Sequence, residues 1–287
     1  MSETRLRLAV PNKGRLQEPT IALLRDAGLR FEDGTRALVA HAENFRLDIL
    51  FVRTEDIVEF VRDGVAELGV TGTNLLAESG ADLPVVLELG YGRCRLEAAV
   101  PNDASARAIE DLDGCRLATS HPNATRRFFE ERHIPVEIIP ISGAVEVAPR
   151  MGLADGIVDL VSSGSTLVMN GLRSIGVLFE SQAILVGGTD WTTGRSELAQ
   201  DLGTMLDSVI AGRQRKYVMM NAALADLPRI EAVLPALDSP SVIPLAHDGM
   251  VAIHAVVDAD EIWGLLPRLR ASGASGILVV PVEKLLP

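Results

Sequence analysis

The stretch "GLADGIVDLVSSGSTLVMNGL", Gly152 to Leu172, carries the densest chemistry in the chain. "GIVDLVS" reads as a strand that delivers Ser162, Ser163, Gly164, Ser165 and Thr166 to the helical run "STLVMNG". Unpaired backbone N–H groups at a helix start carry the positive end of the dipole and favour a phosphate. Glycine lets the backbone approach a ligand closely, and the hydroxyls add donors. A serine-rich helix cap has the same composition. The two carboxylates just upstream, Asp155 and Asp159, favour the ligand reading. Acids beside an anion cradle suit sugar hydroxyls or hydrated Mg²⁺.

A second strand-to-helix turn, "PNKGRL", sets Lys13 and Arg15 on either side of Gly14. An ammonium and a planar guanidinium suit a polyphosphate, against the alternative of a solvated basic turn. A third, "ISGAVEVAPRMG", places Glu146 one turn into an expected helix that starts at Ser142–Gly143. That carboxylate would accept from a ribose hydroxyl or an exocyclic amine, or simply sit well in the helix dipole. The 5 histidines show no metal-ligand spacing. No Ser, Cys or Lys is marked as an activated nucleophile, so the chemistry rests on positioning and charge.

The elements that must hold these turns alternate. "LRLAVP", "FRLDILFVR" and "LGVTG" read as strands, separated by helices that end near Gly28, cover "TEDIVEFVRDG" and open at "TNLLAESG". "LPVVLELGYGRCRLEAAVP" reads as two extended runs crossing from one lobe to another. A second alternating unit follows: "CRLATS", helix "PNATRRFFEERH", "VEIIPI", helix "GAVEVAPRMGLA", "GIVDLVS". "SQAILVGG" then returns to the first lobe. Two α/β lobes joined by two crossings are the grammar of a cleft that closes on its ligand. From about 213 the order becomes β-α-β-β-α-β, the ferredoxin-like signature.

Bulk numbers narrow the classes. The 287 residues imply more than one domain, and aromatics at 4% imply an aliphatic core without base-stacking platforms. A net charge of −12 argues against nucleic acid and would repel anionic substrates, so local cations and Mg²⁺ must supply the attraction. Two cysteines, no signal-peptide pattern and no long apolar run point to a cytoplasmic protein without membrane contact.

Together "LRLAVPNKGRL", "DILFVRTEDI", "ELGVTG", "ISGAVEVAPRMGLADGIVDLVSSGSTLVMNGLR" and "SPSVIPLA…GASGILVVPVEKL" resemble the long form of ATP phosphoribosyltransferase over essentially the whole chain. The resemblance implies an α/β fold of two periplasmic-binding-protein-like (type II) lobes plus a C-terminal ferredoxin-like βαββαβ regulatory domain. Residues 1–90 and 182–212 would form lobe I, 91–181 lobe II and 213–287 the regulatory domain. It further implies transfer of the phosphoribosyl group from 5-phosphoribosyl 1-diphosphate to N1 of ATP with Mg²⁺. This is the first step of histidine biosynthesis.

Substrate contacts carried over by the resemblance are Lys13, Gly14, Arg15, Glu146, Asp155, Asp159, Ser162, Ser163, Gly164, Ser165, Thr166 and Leu167. L-Histidine as feedback inhibitor would meet Asn221, Leu237, Ser239, Ser241 and Gly276, and shift a dimer towards a hexamer. The chain departs from its relatives at Ser163, where threonine is frequent, at His121, where tyrosine is common, and at Asn221, where some carry aspartate. A periplasmic-type binding protein shares the two-lobe grammar but not the paired anion turns. Other phosphoribosyltransferases share the substrate but carry a "TGGT"-like loop after two acids, not found in this sequence.

Overall fold

Leu6, Leu8, Ala9 and Val10 are wholly buried, so β1 (Leu6–Pro11) is covered on both faces, as an interior parallel strand must be. The computed structural model describes residues 5–32, 38–188, 191, 196–235, 237 and 239–286. After β1 come α1 (Gln17–Asp26), β2 (Val39–His41), β3 (Leu47–Val52), α2 (Ile57–Arg62), β4 (Leu68–Gly72), α3 (Thr73–Ser79) and β5 (Val85–Glu88). The chain then crosses to β6 (Cys94–Pro101), β7 (Arg116–Thr119), α4 (Pro122–Glu131), β8 (Glu137–Pro140), β9 (Gly156–Val161), α5 (Ser165–Met169) and β10 (Leu172–Ser181). It returns as β11 (Ala183–Gly187).

Two sheets result, ordered β2-β3-β1-β4-β11-β5 and β10-β6-β9-β7-β8. In the first, β1 lies parallel between β3 and β4, and the returning β11 inserts antiparallel between β4 and β5. In the second, β7 lies parallel between β8 and β9, with β6 and β10 antiparallel. A late strand inserted into the first lobe's sheet is the type II periplasmic-binding-protein arrangement. Both lobes present the C-terminal ends of parallel strands, where α/β folds bind ligands.

The remaining elements are α6 (Ser196–Arg213), β12 (Arg215–Ala223), α7 (Leu227–Glu231), β13 (Ser241–Pro244), β14 (Met250–Asp258), α8 (Ile262–Ala271) and β15 (Ser275–Pro281). Their sheet, β13-β14-β12-β15, is antiparallel throughout and ferredoxin-like in order. Alternation decides its faces: Val218, Met220, Ile253 and Ala255 pack with Ile230, Leu265 and Leu269. Contacts divide the chain into two compact units, one of 1–22 with 29–201 and one of 23–28 with 202–287.

Several elements differ from expectation. The helix expected over "GAVEVAPRMGLA" is only a 3-10 turn at Val145–Val147. Gly143 and Ala144 have φ of 143° and 50° there, and Pro149 lacks the N–H that would extend the turn. The helix expected over "LADLPRIEAVLPAL" shrinks to α7 behind a 3-10 turn, with Pro228 in its first turn. Strand β10 and helix α6 were not anticipated.

Candidate functional site

The first anion turn leaves β1 at Asn12, whose N–H donates to Val52 O at 2.8 Å. Gly14 takes φ 81°, a left-handed conformation open to glycine, and turns the chain into α1. Lys13 and Arg15 are left exposed at the strand's C-terminal edge. The parallel register Pro11↔Val52 sets a further exposed cation, Arg53, beside this turn. Arg53 was not singled out from the sequence, because only strand pairing brings it there.

The second turn leaves β9. Gly164 adopts φ 79°, and Ser163 Oγ lies 3.0 Å from Ser165 Oγ and 3.5 Å from the Ser165 N–H. Ser162, Ser163, Ser165 and Thr166 are exposed, while Leu167 is buried in the lobe's core. Leu167 therefore contributes backbone to the loop and anchors it with its side chain. A cavity of about 240 Å³ opens here, lined by Glu146, Asp159, Ser162, Ser163, Gly164 and Thr166 among others. Burial pushes the Asp159 carboxyl above its ordinary range, and the nearby Glu146 charge adds to the shift. Two acids crowded in this way favour hydroxyl donors or a cation between them.

Asp155 does not join them. It lies ahead of β9, at the opposite end of the strand from the loop. The Arg116 side chain grips it, with Nη2 to Oδ1 at 2.9 Å and Nε to Oδ2 at 3.2 Å. The Arg116 N–H adds 2.9 Å to Oδ2, and these bonds hold the carboxyl below its usual range. Both oxygens of the Asp155 carboxylate are thus engaged by Arg116 within the lobe.

The two turns meet across the lobes. Arg15 Nη1 donates to Ser162 Oγ at 3.0 Å. Beside that bond lies a cavity of about 640 Å³, lined by Thr73, Arg93, Cys94, Arg95, Ser162 and Gln182 among others. Away from it, α3 docks on the start of α4: Glu78 accepts from the Asn123 and Ala124 N–H groups at 3.0 and 2.8 Å. His121 is buried at the same place, bonded to Asn74. Among the described residues, no three His, Cys, Asp or Glu side chains cluster as metal ligands. No helix among them is long and apolar enough to cross a membrane.

In the second unit the face of the sheet away from α7 and α8 carries Asn221 on β12 and Ser241 on β13, by strand alternation. Gly276, at φ 57°, lies against the Asn221 amide, with 3.7 Å from its would-be Cβ to Nδ2. Leu237 is exposed and donates its N–H to Val256 O at 3.1 Å, and Ser239 lies between it and β13.

Comparison with known proteins bears on what this arrangement does. The family model "HisG: ATP phosphoribosyltransferase" matches residues 53–208, and "HisG, C-terminal domain" matches residues 212–284. The ATP phosphoribosyltransferase of Gemmatimonas aurantiaca is 47% identical, covering 98% of this chain and 100% of that protein. The protein of the same name from Methanosarcina mazei is 40% identical, covering 98% and 100%. Among solved structures, the ATP phosphoribosyl transferase (HisG:HisZ) complex from Thermotoga maritima superposes with a TM-score of 0.63. It is 30% identical and covers 71% of this chain and 97% of that one.

Proposed function

The chain belongs to the ATP phosphoribosyltransferase family, and we propose that its cleft works through the two anion turns joined at Arg15 and Ser162. The enzyme transfers the 5-phosphoribosyl group of 5-phosphoribosyl 1-diphosphate to N1 of ATP, releasing diphosphate, in the first step of histidine biosynthesis. The observation that supports the site assignment is the 3.0 Å bond from Arg15 to Ser162, which sets a cation of one lobe over the hydroxyl loop of the other.

In this reading the Ser162–Leu167 loop binds the 5-phosphate through backbone N–H groups and hydroxyls. Asp159 and Glu146, in the same cavity, accept from the ribose hydroxyls. Lys13, Gly14 and Arg15 take the diphosphate. Adenine N1 carries its own lone pair, so attack on the ribose carbon needs no strong base. The barrier lies in releasing diphosphate while positive charge grows on the sugar, and lobe closure aligns the reactants. Two acids, with no third His, Cys, Asp or Glu clustered beside them among the described residues, fit a Mg²⁺ that arrives on the substrate, held largely by phosphate and water, and not a resident cage. When bound, that ion neutralises the departing diphosphate.

The lobes comprise 1–90 with 182–212 and 91–181, and residues 213–287 bind L-histidine as a feedback inhibitor in a cytoplasmic homo-oligomer, dimer or hexamer. The ferredoxin-like order of the last segment supports that division. The test is diphosphate release from ATP, 5-phosphoribosyl 1-diphosphate and Mg²⁺, with and without L-histidine. Release that histidine suppresses supports the reading, and release indifferent to histidine removes its regulatory half.

A further inference from the structure

Arg15 is a long side chain on the surface, yet its guanidinium is held at two points from two different elements. Nη1 reaches Ser162 Oγ at 3.0 Å, and Nη2 reaches Cys94 Sγ at 2.8 Å. Cys94 opens β6 at the end of the crossing between the lobes, and only 5% of it is exposed.

The same crossing clasps the start of α1 at two further places. Tyr91 OH lies 2.7 Å from Thr20 Oγ1, and Thr20 donates to Leu16 O at 2.6 Å. Thr20 has one hydroxyl proton, so Tyr91 is the donor to Thr20, and a directed relay ends on the residue next to Arg15. Gly92, between Tyr91 and Cys94, has φ 66°, and a Cβ there would meet Leu16 Cδ2 at 2.3 Å. The conformation favours glycine, and any Cβ would also force the Leu16 side chain to shift. The second crossing is tied in as well, since the Ala183 N–H donates to Tyr91 O at 2.9 Å.

We propose that the crossing segment Tyr91–Cys94 is a positioning element for Arg15: it fixes one prong of the guanidinium at Cys94 Sγ so that the other prong faces the anion loop. This rests on the reading of Arg15 as a substrate contact. A thiol suits the task, because it is a weak acceptor that orients the fork without neutralising its charge. A carboxylate in its place would form an ion pair and compete with the anionic substrate.

The experiment is steady-state diphosphate release by the full chain with Cys94→Ala, Cys94→Ser, Arg15→Met and the double variant Arg15→Met/Cys94→Ala. Cys94→Ala should lower kcat/KM for 5-phosphoribosyl 1-diphosphate about tenfold, the scale of one lost hydrogen bond. Cys94→Ser, which keeps an acceptor, should recover most of that. In the Arg15→Met background Cys94→Ala should cost nothing further, the non-additivity of residues acting as one unit. Tyr91→Phe keeps the ring and reads the same coupling to Arg15→Met if the alanine chain fails to fold. A damaged Arg15→Met beside an undamaged Cys94→Ala, or losses that multiply in the double variant, overturns the positioning alone. Wild-type kinetics in Arg15→Met overturns the assignment of Arg15, and the positioning with it.

Discussion

Asn74 on α3 and His121 ahead of α4 meet between the lobes with Nδ2 and Nε2 2.9 Å apart, both side chains buried. Asn74 Oδ1 accepts from Ser181 Oγ at 3.0 Å, so Nδ2 is the donor and His121 Nε2 must be unprotonated. The remaining proton sits on Nδ1, facing Ser120 Oγ at 3.0 Å. Burial holds the imidazole below its ordinary value of 6.5, against the opposing pull of the Glu78 carboxylate. Glu78 is itself engaged by the α4 N-terminus.

A depressed histidine contributes stability above its unfolded value and loses it as pH falls through the folded one. Wild-type Tm should therefore decline below about pH 6.5. His121→Tyr, which keeps an aromatic ring but cannot take up a proton, should retain turnover and flatten that decline. Equal pH slopes for the two chains, followed by calorimetry, would remove His121 as the origin.

Loop variants should separate the two substrates. Thr166→Val removes a donor at nearly constant volume, and a lost bond to a charged phosphate costs about 1.5–3 kcal/mol. Affinity for 5-phosphoribosyl 1-diphosphate should fall by about one to two powers of ten, with ATP little changed. Gly164→Val tests the backbone, because a Cβ there meets nothing closer than Val161 Cγ1 at 3.9 Å. What it strains is the φ of 79°, at about 1–2 kcal/mol. Calorimetric titration of each substrate reads both variants, and equal losses for the two substrates would move the cradle elsewhere.

Asp159→Asn should divide stability from function. Burial and Glu146 raise the Asp159 carboxyl, so its ionised form is disfavoured in the native chain. The stability linked to this group is present at pH below its ordinary value of 3.8 and is lost as pH rises through the folded one. The amide removes that penalty at neutral pH and still accepts the Leu160 N–H bond of 2.8 Å. Tm should hold or rise while kcat/KM for 5-phosphoribosyl 1-diphosphate falls at least tenfold, as for a lost charged hydrogen bond. A lower Tm with unchanged kinetics would reverse the assignment.

Asp155→Asn should do little. Its ion pair with Arg116 is exposed, at 48% and 41% of the two side chains, and solvent screens such pairs so that they contribute little. The lowered carboxyl contributes that small stability above its ordinary value of 3.8 and loses it in acid. Turnover at pH 7 should stay within about twofold, a change too small for a lost charged substrate contact. A larger fall would return Asp155 to the substrate.

The contrast between the two acids shows what the sequence conveys. Asp155 and Asp159 are four apart, which reads as proximity, but an extended chain rises about 3.3 Å per residue and parts them by about 13 Å. The loop itself was legible because strand, glycine and hydroxyls are contiguous. Arg53, Cys94 and the Asn74–His121 contact were not, since each depends on strand register or on how one lobe meets the other. Strand β10 was hidden by its broken alternation: its pairing with β6 slips twice, once between Ser174 and Gly176. Helix α6 buries Ala199, Leu202, Leu206 and Val209, a helical spacing that the sequence does carry. The order of the β-α-β-β-α-β segment was legible because buried positions recur every second residue along β12 and β14, although its first helix is shorter than the sequence suggests.

That segment carries the last prediction. Asn221 and Ser241 lie on the sheet face opposite the helices, with Gly276 against the Asn221 amide. A hydroxyl and an amide on a common face, with Leu237 exposed beside the same sheet, offer donors and acceptors to an amino acid but no fixed charge for its ammonium. A neutral amide accepts more weakly than a carboxylate, so inhibition by histidine should be modest in affinity. Ser241→Ala removes one neutral hydrogen bond, about 0.5–1.5 kcal/mol, and should raise the inhibitory concentration of histidine roughly two- to tenfold. Turnover without histidine should not change. Asn221→Asp should act in the opposite sense and tighten inhibition. Linkage requires that substrates weaken histidine binding by the factor that histidine weakens theirs, which titration with and without 5-phosphoribosyl 1-diphosphate measures. Truncation after about residue 212 should abolish inhibition, though lost subunit contacts would also lower turnover, so the point variants decide. If histidine competes directly with ATP and neither variant alters its effect, the ferredoxin-like segment serves assembly alone.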